Sequence, residues 1–251
     1  MFKFILIVVI FWPLTIVFFI KAKLAMNKKD STIESRYKVV KEITETLSRV
    51  SGAKVETHGI ENLPENDGYV LLVNHQGRYD AIAVMQSSDR PVTFLIDEKR
   101  SNVPFEKTIV DTLGCVRIDK EHLGKMRTAL KKMNELVKSG VNVAVFPEGK
   151  YGKNGNNLQE FQTGAITVLT ATKCTFVPVC LFDSYKVYDV NTFKKVTCQV
   201  HYLEPITYEQ YKGMPKSDLA ELVKSRINDK LSELKGEPAH EKAEEKELIL
   251  K

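Results

Sequence analysis

The sequence predicts an α/β fold: a mixed, mainly parallel central sheet flanked by helices, with an N-terminal hydrophobic membrane-anchor helix. Three observations carry this. Short apolar β-type runs alternate with segments whose apolar residues recur at helical spacing, and helical crossovers favour parallel strands. A continuous apolar stretch, Phe4–Ile20, opens the chain. With 251 residues, 43% of them apolar and 27% charged, the chain is long enough for a full core and is neither disordered nor low in complexity.

The opening stretch reads FILIVVIFWPLTIVFFI, broken only by Pro13 and Thr15. As a helix rising about 1.5 Å per residue it spans about 26 Å, just short of the roughly 30 Å hydrocarbon core. Lys21 and Lys23 follow at once and no small-x-small cleavage site appears, so an anchor is favoured over a cleaved signal. Four lysines after the segment and one before it place the rest of the chain on the cytoplasmic face. Its shortness and Pro13 leave shallow insertion into one leaflet open.

Charge follows the same division. The net charge is 37 − 32 = +5, but residues 1–29 hold five lysines and no acid, so the remaining 222 residues are neutral. A nucleic-acid partner is therefore not expected; the basic surplus flanks the anchor. The expected organisation is 1–29 anchor with basic flank, 30–60 amphipathic helix and connector, 61–236 main domain and 237–251 charged tail.

Ser31 and Glu34 form a capping-box pattern, and Ile33, Tyr37, Val40, Leu47 and Val50 mark a helical stripe stopped by Gly52. Strands are predicted at Tyr69–Val73, Val92–Ile96, Val141–Phe146, Phe176–Phe182 and Val196–Leu203. The clearest helix carries Leu123, Met126, Leu130, Met133 and Val137 on one face. Another is predicted over Glu160–Ala171, and a last one through Leu219, Leu222, Val223, Ile227, Leu231 and Leu234 behind an N-cap at Ser217. Cys115, Cys174, Cys180 and Cys198 show no C-x-x-C or zinc spacing, so disulfide or metal use is not expected.

In such folds reactive groups gather at the carboxyl ends of strands. The run YVLLV passes into Asn74-His75-Gln76-Gly77-Arg78-Tyr79-Asp80. His75 and Asp80 can meet across that turn, the carboxylate fixing one imidazole nitrogen and raising the basicity of the other. Taken alone, the pair is as well explained by structure. VNVAVF ends in Pro147-Glu148-Gly149-Lys150, a sharp turn presenting a carboxylate and a cation. Between them, Arg117 and Lys120 are cations suited to a phosphate monoester, or alternatively to surface pairing with Asp119 and Glu121. No P-loop and no G-x-S-x-G elbow is present.

Together these pieces resemble, in order, the four blocks of the glycerolipid acyltransferases: Asn74-His75…Asp80, Gly114…Ile118-Asp119-Lys120, Phe146-Pro147-Glu148-Gly149 and Val177-Pro178-Val179. The closest branch is the 1-acyl-glycerol-3-phosphate acyltransferases. The resemblance implies that residues 61–236 are an acyltransferase domain, moving an acyl group from acyl-CoA or acyl carrier protein to the sn-2 hydroxyl of 1-acyl-glycerol-3-phosphate. The product is phosphatidic acid. It implies His75 as general base, Asp80 as its orienting partner, and Asn74, Arg117, Lys120, Glu148, Gly149 and Lys150 as substrate-binding residues. Backbone N–H groups would stabilise the oxyanion. No metal or prosthetic group is called for, and the partners implied are a membrane lipid acceptor, the acyl donor and the bilayer. The chain departs from the family where Gly77 replaces a usual Ser, where Lys120 replaces a usual Arg, and where Lys150-Tyr151 replaces Thr-Arg. Another lysophospholipid or glycolipid acceptor is the alternative reading, and a non-catalytic membrane-tethered lipid-binding protein a further one.

Overall fold

The computed structural model describes residues 9–190, 192 and 194–237. Seven strands, β1 (Ala53–His58), β2 (Val70–Val73), β3 (Val92–Asp97), β4 (Val116–Ile118), β5 (Asn142–Val145), β6 (Phe176–Phe182) and β7 (Val196–Tyr202), make one sheet in the order β1-β7-β6-β2-β5-β3-β4. Every neighbouring pair is parallel except β6 with β7, so β1 and β7 run against the other five. The fold is the mixed, mainly parallel α/β sheet that the alternation of elements implies.

Side-chain alternation along the strands separates two cores. Leu71, Val73, Val177, Val179 and Leu181 face one side, under α1 (Trp12–Asn27), α2 (Ile33–Ser51), α3 (Asp80–Ser87) and α4 (Pro104–Thr112). Val70, Leu72, Phe176 and Cys180 face the other, under α5 (Leu123–Lys138), α6 (Thr163–Leu169) and α9 (Lys216–Lys235). Two single-turn helices, α7 (Tyr185–Tyr188) and α8 (Tyr208–Tyr211), close the loops around β6 and β7.

The strand at Phe176–Phe182 has the expected bounds; the others shift by a residue or two. Two strands lack an expectation. β1 lies in the stretch read as connector; it is a sheet edge whose outer positions are exposed, so AKVETH shows no apolar run. β4 is only three residues long. The cap of α2 falls one residue later than the Ser31/Glu34 pattern. Thr32 Oγ1 accepts the Ser35 N–H at 3.2 Å, and Ser35 Oγ accepts the Thr32 N–H at 3.1 Å. At its other end Gly52 takes φ +67°, and its N–H closes on the last turn's carbonyls. The expected 160–171 helix shortens to α6 because Gln159 and Gln162 are held by the turn at Pro147-Glu148 instead. α9 starts behind Pro215, and Ser217 turns its hydroxyl to Asp218 rather than capping.

The anchor expectation changes. α1 has 16 residues, starts where Pro13 breaks continuity with the preceding chain, and runs past Ile20 to Asn27. Among the described residues no helix is long and apolar enough to cross a membrane. Phe4–Val8 of the predicted segment, and all but Glu237 of the predicted tail, lie outside the described residues. α1 buries Phe18 and Ala22 against α2 and α4, with Phe18 5.6 Å from Phe105 between ring centroids. Its other side shows Trp12, Ile16, Val17, Ile20 and Leu24 to solvent.

Candidate active site

Parallel order brings the carboxyl ends of β2, β5 and β6 side by side, and each continues into a loop that carries polar groups. Where β2 ends, Asn74 extends the ladder with its side chain. Its Nδ2 donates to Leu181 O at 3.0 Å, and its Oδ1 accepts the Leu181 N–H at 2.6 Å. This amide stands in for one more backbone pair between β2 and β6, and it is 2% exposed.

His75 follows. Its Nδ1 lies 2.7 Å from Asp80 Oδ2. The ring is stacked on Phe146 at 4.4 Å and meets the edge of Tyr151 at 4.9 Å. Plane and rotation are thereby both fixed, while the side chain keeps 18% of its surface in solvent. Asp80 is fully buried at the start of α3. Besides the imidazole, Oδ2 accepts the N–H groups of Gln76 at 2.6 Å and Gly77 at 2.9 Å. Oδ1 accepts the hydroxyl of Ser184. The hydrogen bonds to both of its oxygens fix this buried carboxylate and aim Oδ2 at the imidazole.

Ser184 belongs to a second layer the sequence reading missed. Its N–H donates to Gln76 Oε1 at 3.0 Å, and its hydroxyl lies between that same oxygen, at 2.9 Å, and Asp80 Oδ1, the charged and therefore stronger acceptor. Gln76 Nε2 donates to Asn156 Oδ1 at 2.8 Å, and Asn156 Nδ2 donates to Asp183 at 2.8 Å. Asp183 sits at φ +65°, a left-handed conformation costly for a residue with a Cβ, held by its N–H to Asn156. Gly77 has a specific need. A Cβ there would stand 2.2 Å from Asp189 Oδ2, the carboxylate that receives the Arg78 N–H and pairs with its guanidinium. The usual Ser would require that carboxylate to move from its place on Arg78.

Glu148 is 3% exposed in the turn after β5. Its Oε1 accepts the His75 N–H at 2.8 Å; its Oε2 accepts Gln159 N–H and Nε2 at 3.1 and 2.8 Å. Burial raises its pKa, and the donors from His75 and Gln159 oppose that. Gly149 closes the turn at φ +71°. Lys120 reaches across from the loop after β4 to donate to the Gly149 carbonyl. Lys150 is exposed beside it. The structure thus brings together Asn74, His75, Asp80, Lys120, Glu148, Gly149 and Lys150. Arg117 is engaged away from the turn, on Asp111 at 2.6 Å and Ser101 at 3.0 Å. The first loop's N–H groups at 75, 76 and 77 are all committed to Glu148 or Asp80. Among the described residues no group of three or more His, Cys, Asp or Glu side chains is placed to hold a metal ion.

What the arrangement can do is orient one basic nitrogen, His75 Nε2, beside a cationic turn. The family model described as Acyltransferase matches residues 54–182, from the first residues of β1 to the end of β6. The chain belongs to the acyltransferase family. It is 25% identical over 198 residues to the 1-acyl-sn-glycerol-3-phosphate acyltransferase of Escherichia coli, covering 78% of this chain and 80% of that one. It is 20% identical over 188 residues to the Borreliella burgdorferi protein of the same name, covering 74% and 75%. In fold it resembles the crystal structure of the 1-acyl-sn-glycerophosphate (LPA) acyltransferase PlsC of Thermotoga maritima. The TM-score is 0.68 at 20% identity, covering 91% of this chain and 98% of that one. As an acyltransferase the chain is an enzyme, and the histidine and carboxylate turns lie inside the matched region.

Proposed function

We propose that this acyltransferase transfers an acyl group from a thioester donor, acyl-CoA or acyl carrier protein, to the sn-2 hydroxyl of 1-acyl-glycerol-3-phosphate, giving phosphatidic acid. The observation that carries the reading is His75 held through Nδ1 by Asp80 at 2.7 Å, with its ring stacked on Phe146 and in edge contact with Tyr151. The acceptor hydroxyl donates to Nε2, which takes its proton as the oxygen attacks the thioester carbonyl. Asp80 holds the tautomer and stabilises the imidazolium without becoming protonated. The tetrahedral oxyanion is met by backbone N–H groups other than those at 75–77, then collapses, breaking the C–S bond. The departing thiolate takes the proton back from His75, so the enzyme returns to its starting state without a cofactor.

The acceptor phosphate is met by Lys120 and Lys150 beside Gly149. Arg117 joins only by exchanging Asp111 for the phosphate. Asn74 and Glu148 act by holding β2, the His75 backbone and the Gly149 turn in place. The exposed apolar side of α1 rests in the membrane surface on the cytoplasmic face, keeping these loops at the depth of an amphiphilic acceptor. Supporting the acceptor assignment are the relatives' names and the cationic turn. Tyr151 in place of an Arg favours the alternative of a lysolipid with another head group.

Vesicles carrying the enzyme, labelled palmitoyl-CoA and a panel of lysolipids decide between them. Labelled phosphatidic acid is expected from lysophosphatidate, with Lys120→Ala raising KM for that acceptor roughly tenfold to a hundredfold through the lost charge-assisted contact. Preferential labelling of a lysolipid without a phosphate monoester, untouched by Lys120→Ala, contradicts the assignment.

A further inference from the structure

Residues 30–251 carry equal numbers of cations and carboxylates, but one helix does not share that balance. α5 holds Lys125, Arg127, Lys131, Lys132 and Lys138 against the single carboxylate Glu135. The other long helices over the sheet are mixed: α2 has four cations and three acids, α9 five and four. Arg127, Lys131, Lys132 and Lys138 are exposed, and among the described residues none of them is in an ion pair. Arg127 and Lys131 lie one turn apart, where like charges weaken a helix. A solvated face needs no such one-sided choice.

The place of this face narrows its partner. α5 buries Leu130, Met133 and Val137 in the core on the opposite side of the sheet from the core that takes Phe18 and Ala22 of α1. The basic face of α5 therefore points away from the apolar face of α1, and a flat bilayer seated on one does not reach the other. Meanwhile α5 begins just after the loop whose Lys120 contacts Gly149, at the same end of the sheet as His75. A small polyanion such as the nucleotide of CoA selects a concave site with free donors. The cleft of about 480 Å³ between β4 and α5 falls short of that. Among the described residues Lys132 is its one cation without an ion pair, since Lys125 is paired with Asp119 and Glu98, and Arg117 with Asp111, and two carboxylates share its lining. What remains is a convex set of cations from Arg127 to Lys138, spread over about 17 Å of helix, which suits an acidic protein surface.

Resting on the acyl-transfer reading, which requires a thioester donor, we infer that the outer face of α5 is the docking surface for an acidic acyl carrier protein. It receives the carrier's acidic surface and leaves the long prosthetic arm to bring the thioester round to His75.

The test titrates fluorescent bacterial acyl carrier protein, unloaded and palmitoylated, into the full-length enzyme in lipid nanodiscs. Arg127→Glu/Lys131→Glu/Lys132→Glu should raise Kd at least about tenfold, with the corresponding Gln substitutions intermediate. Added salt should weaken wild-type binding and leave the reversed variant little changed. Rates with palmitoyl-CoA should stay within about twofold in both variants, which also shows that they fold. Absence of carrier binding by the wild type, or equal binding by the reversed variant, overturns the inference. So does an equal loss of activity with both donors, which would assign the face to the nucleotide, or a loss of vesicle binding, which would assign it to the membrane. If the carrier binds and charge reversal weakens it, yet no lysolipid is acylated from either donor, docking stands and the acyl-transfer reading fails.

Discussion

Asp80 accepts four hydrogen bonds from four different residues, and its burial makes each of them count. The imidazole is only as well oriented as that carboxylate. Ser184 is thus a positioning residue: it never meets substrate, but it ties Asp80 to the Gln76–Asn156 network. Ser184→Ala should lower kcat roughly tenfold to a hundredfold, the loss of one hydrogen bond to a buried charge, with KM for either substrate unchanged. The acidic limb of the pH–rate profile should move with it, and Ser184→Thr should restore part of the rate. An unchanged pH profile would leave Ser184 a purely structural residue. His75, Asp80 and Glu148 were legible in the sequence because each sits at a strand end in a short local pattern. Ser184 was not, because 104 residues separate it from Asp80 and only the adjacency of β2 and β6 joins them.

At the scale of elements, the edge pair β1–β7 carries a pH-dependent contact. His58 and His201 are register partners whose rings stack at 4.4 Å. Burial, with His58 and Lys230 nearby, lowers the pKa of His201 from 6.5 to about 4. The unfolded chain therefore binds a proton there that the folded chain refuses, so stability is complete above pH 6.5 and falls as pH drops towards 4. His201→Phe should flatten the fall in thermal midpoint across that window. An equally steep fall in the variant would place the acid sensitivity elsewhere. These edge strands also show why some elements escape sequence reading. β2, β5 and β6 are buried on both faces and read as apolar runs, and α5 repeats its apolar residues every turn. β1 mixes charged and apolar residues because it is half exposed, and β4 is too short for any period to register. The boundary shifts at α2 and α9 have other origins: at α2 the neighbours Ser31 and Thr32 compete for one cap, and at α9 Pro215 starts the helix while Ser217 bonds Asp218.

Taken as a whole, the molecule has two unlike exteriors on either side of one sheet. α1 shows a row of large apolar side chains, Trp12, Ile16, Val17, Ile20 and Leu24, while its inner residues Phe18 and Ala22 lock onto α2 and α4. Burying such a row in a membrane surface releases about 25 cal/mol for each Å² of apolar area. Ile16→Ser/Ile20→Ser/Leu24→Ser should therefore reduce sedimentation with anionic vesicles several-fold while the thermal midpoint holds, since none of the three is buried. Undiminished sedimentation would show that membrane attachment does not use this face. Activity on soluble short-chain lysophosphatidate should persist in the variant.

All of this depends on one proton transfer. The most direct test is the initial rate of phosphatidic acid formation from lysophosphatidate and palmitoyl-CoA, wild type against His75→Ala, in the same vesicles with equal folding shown by circular dichroism. The His75–Asp80 pair as general base predicts a loss of at least about a thousandfold in kcat with acceptor binding retained. A His75→Ala rate within about twofold of wild type would contradict it.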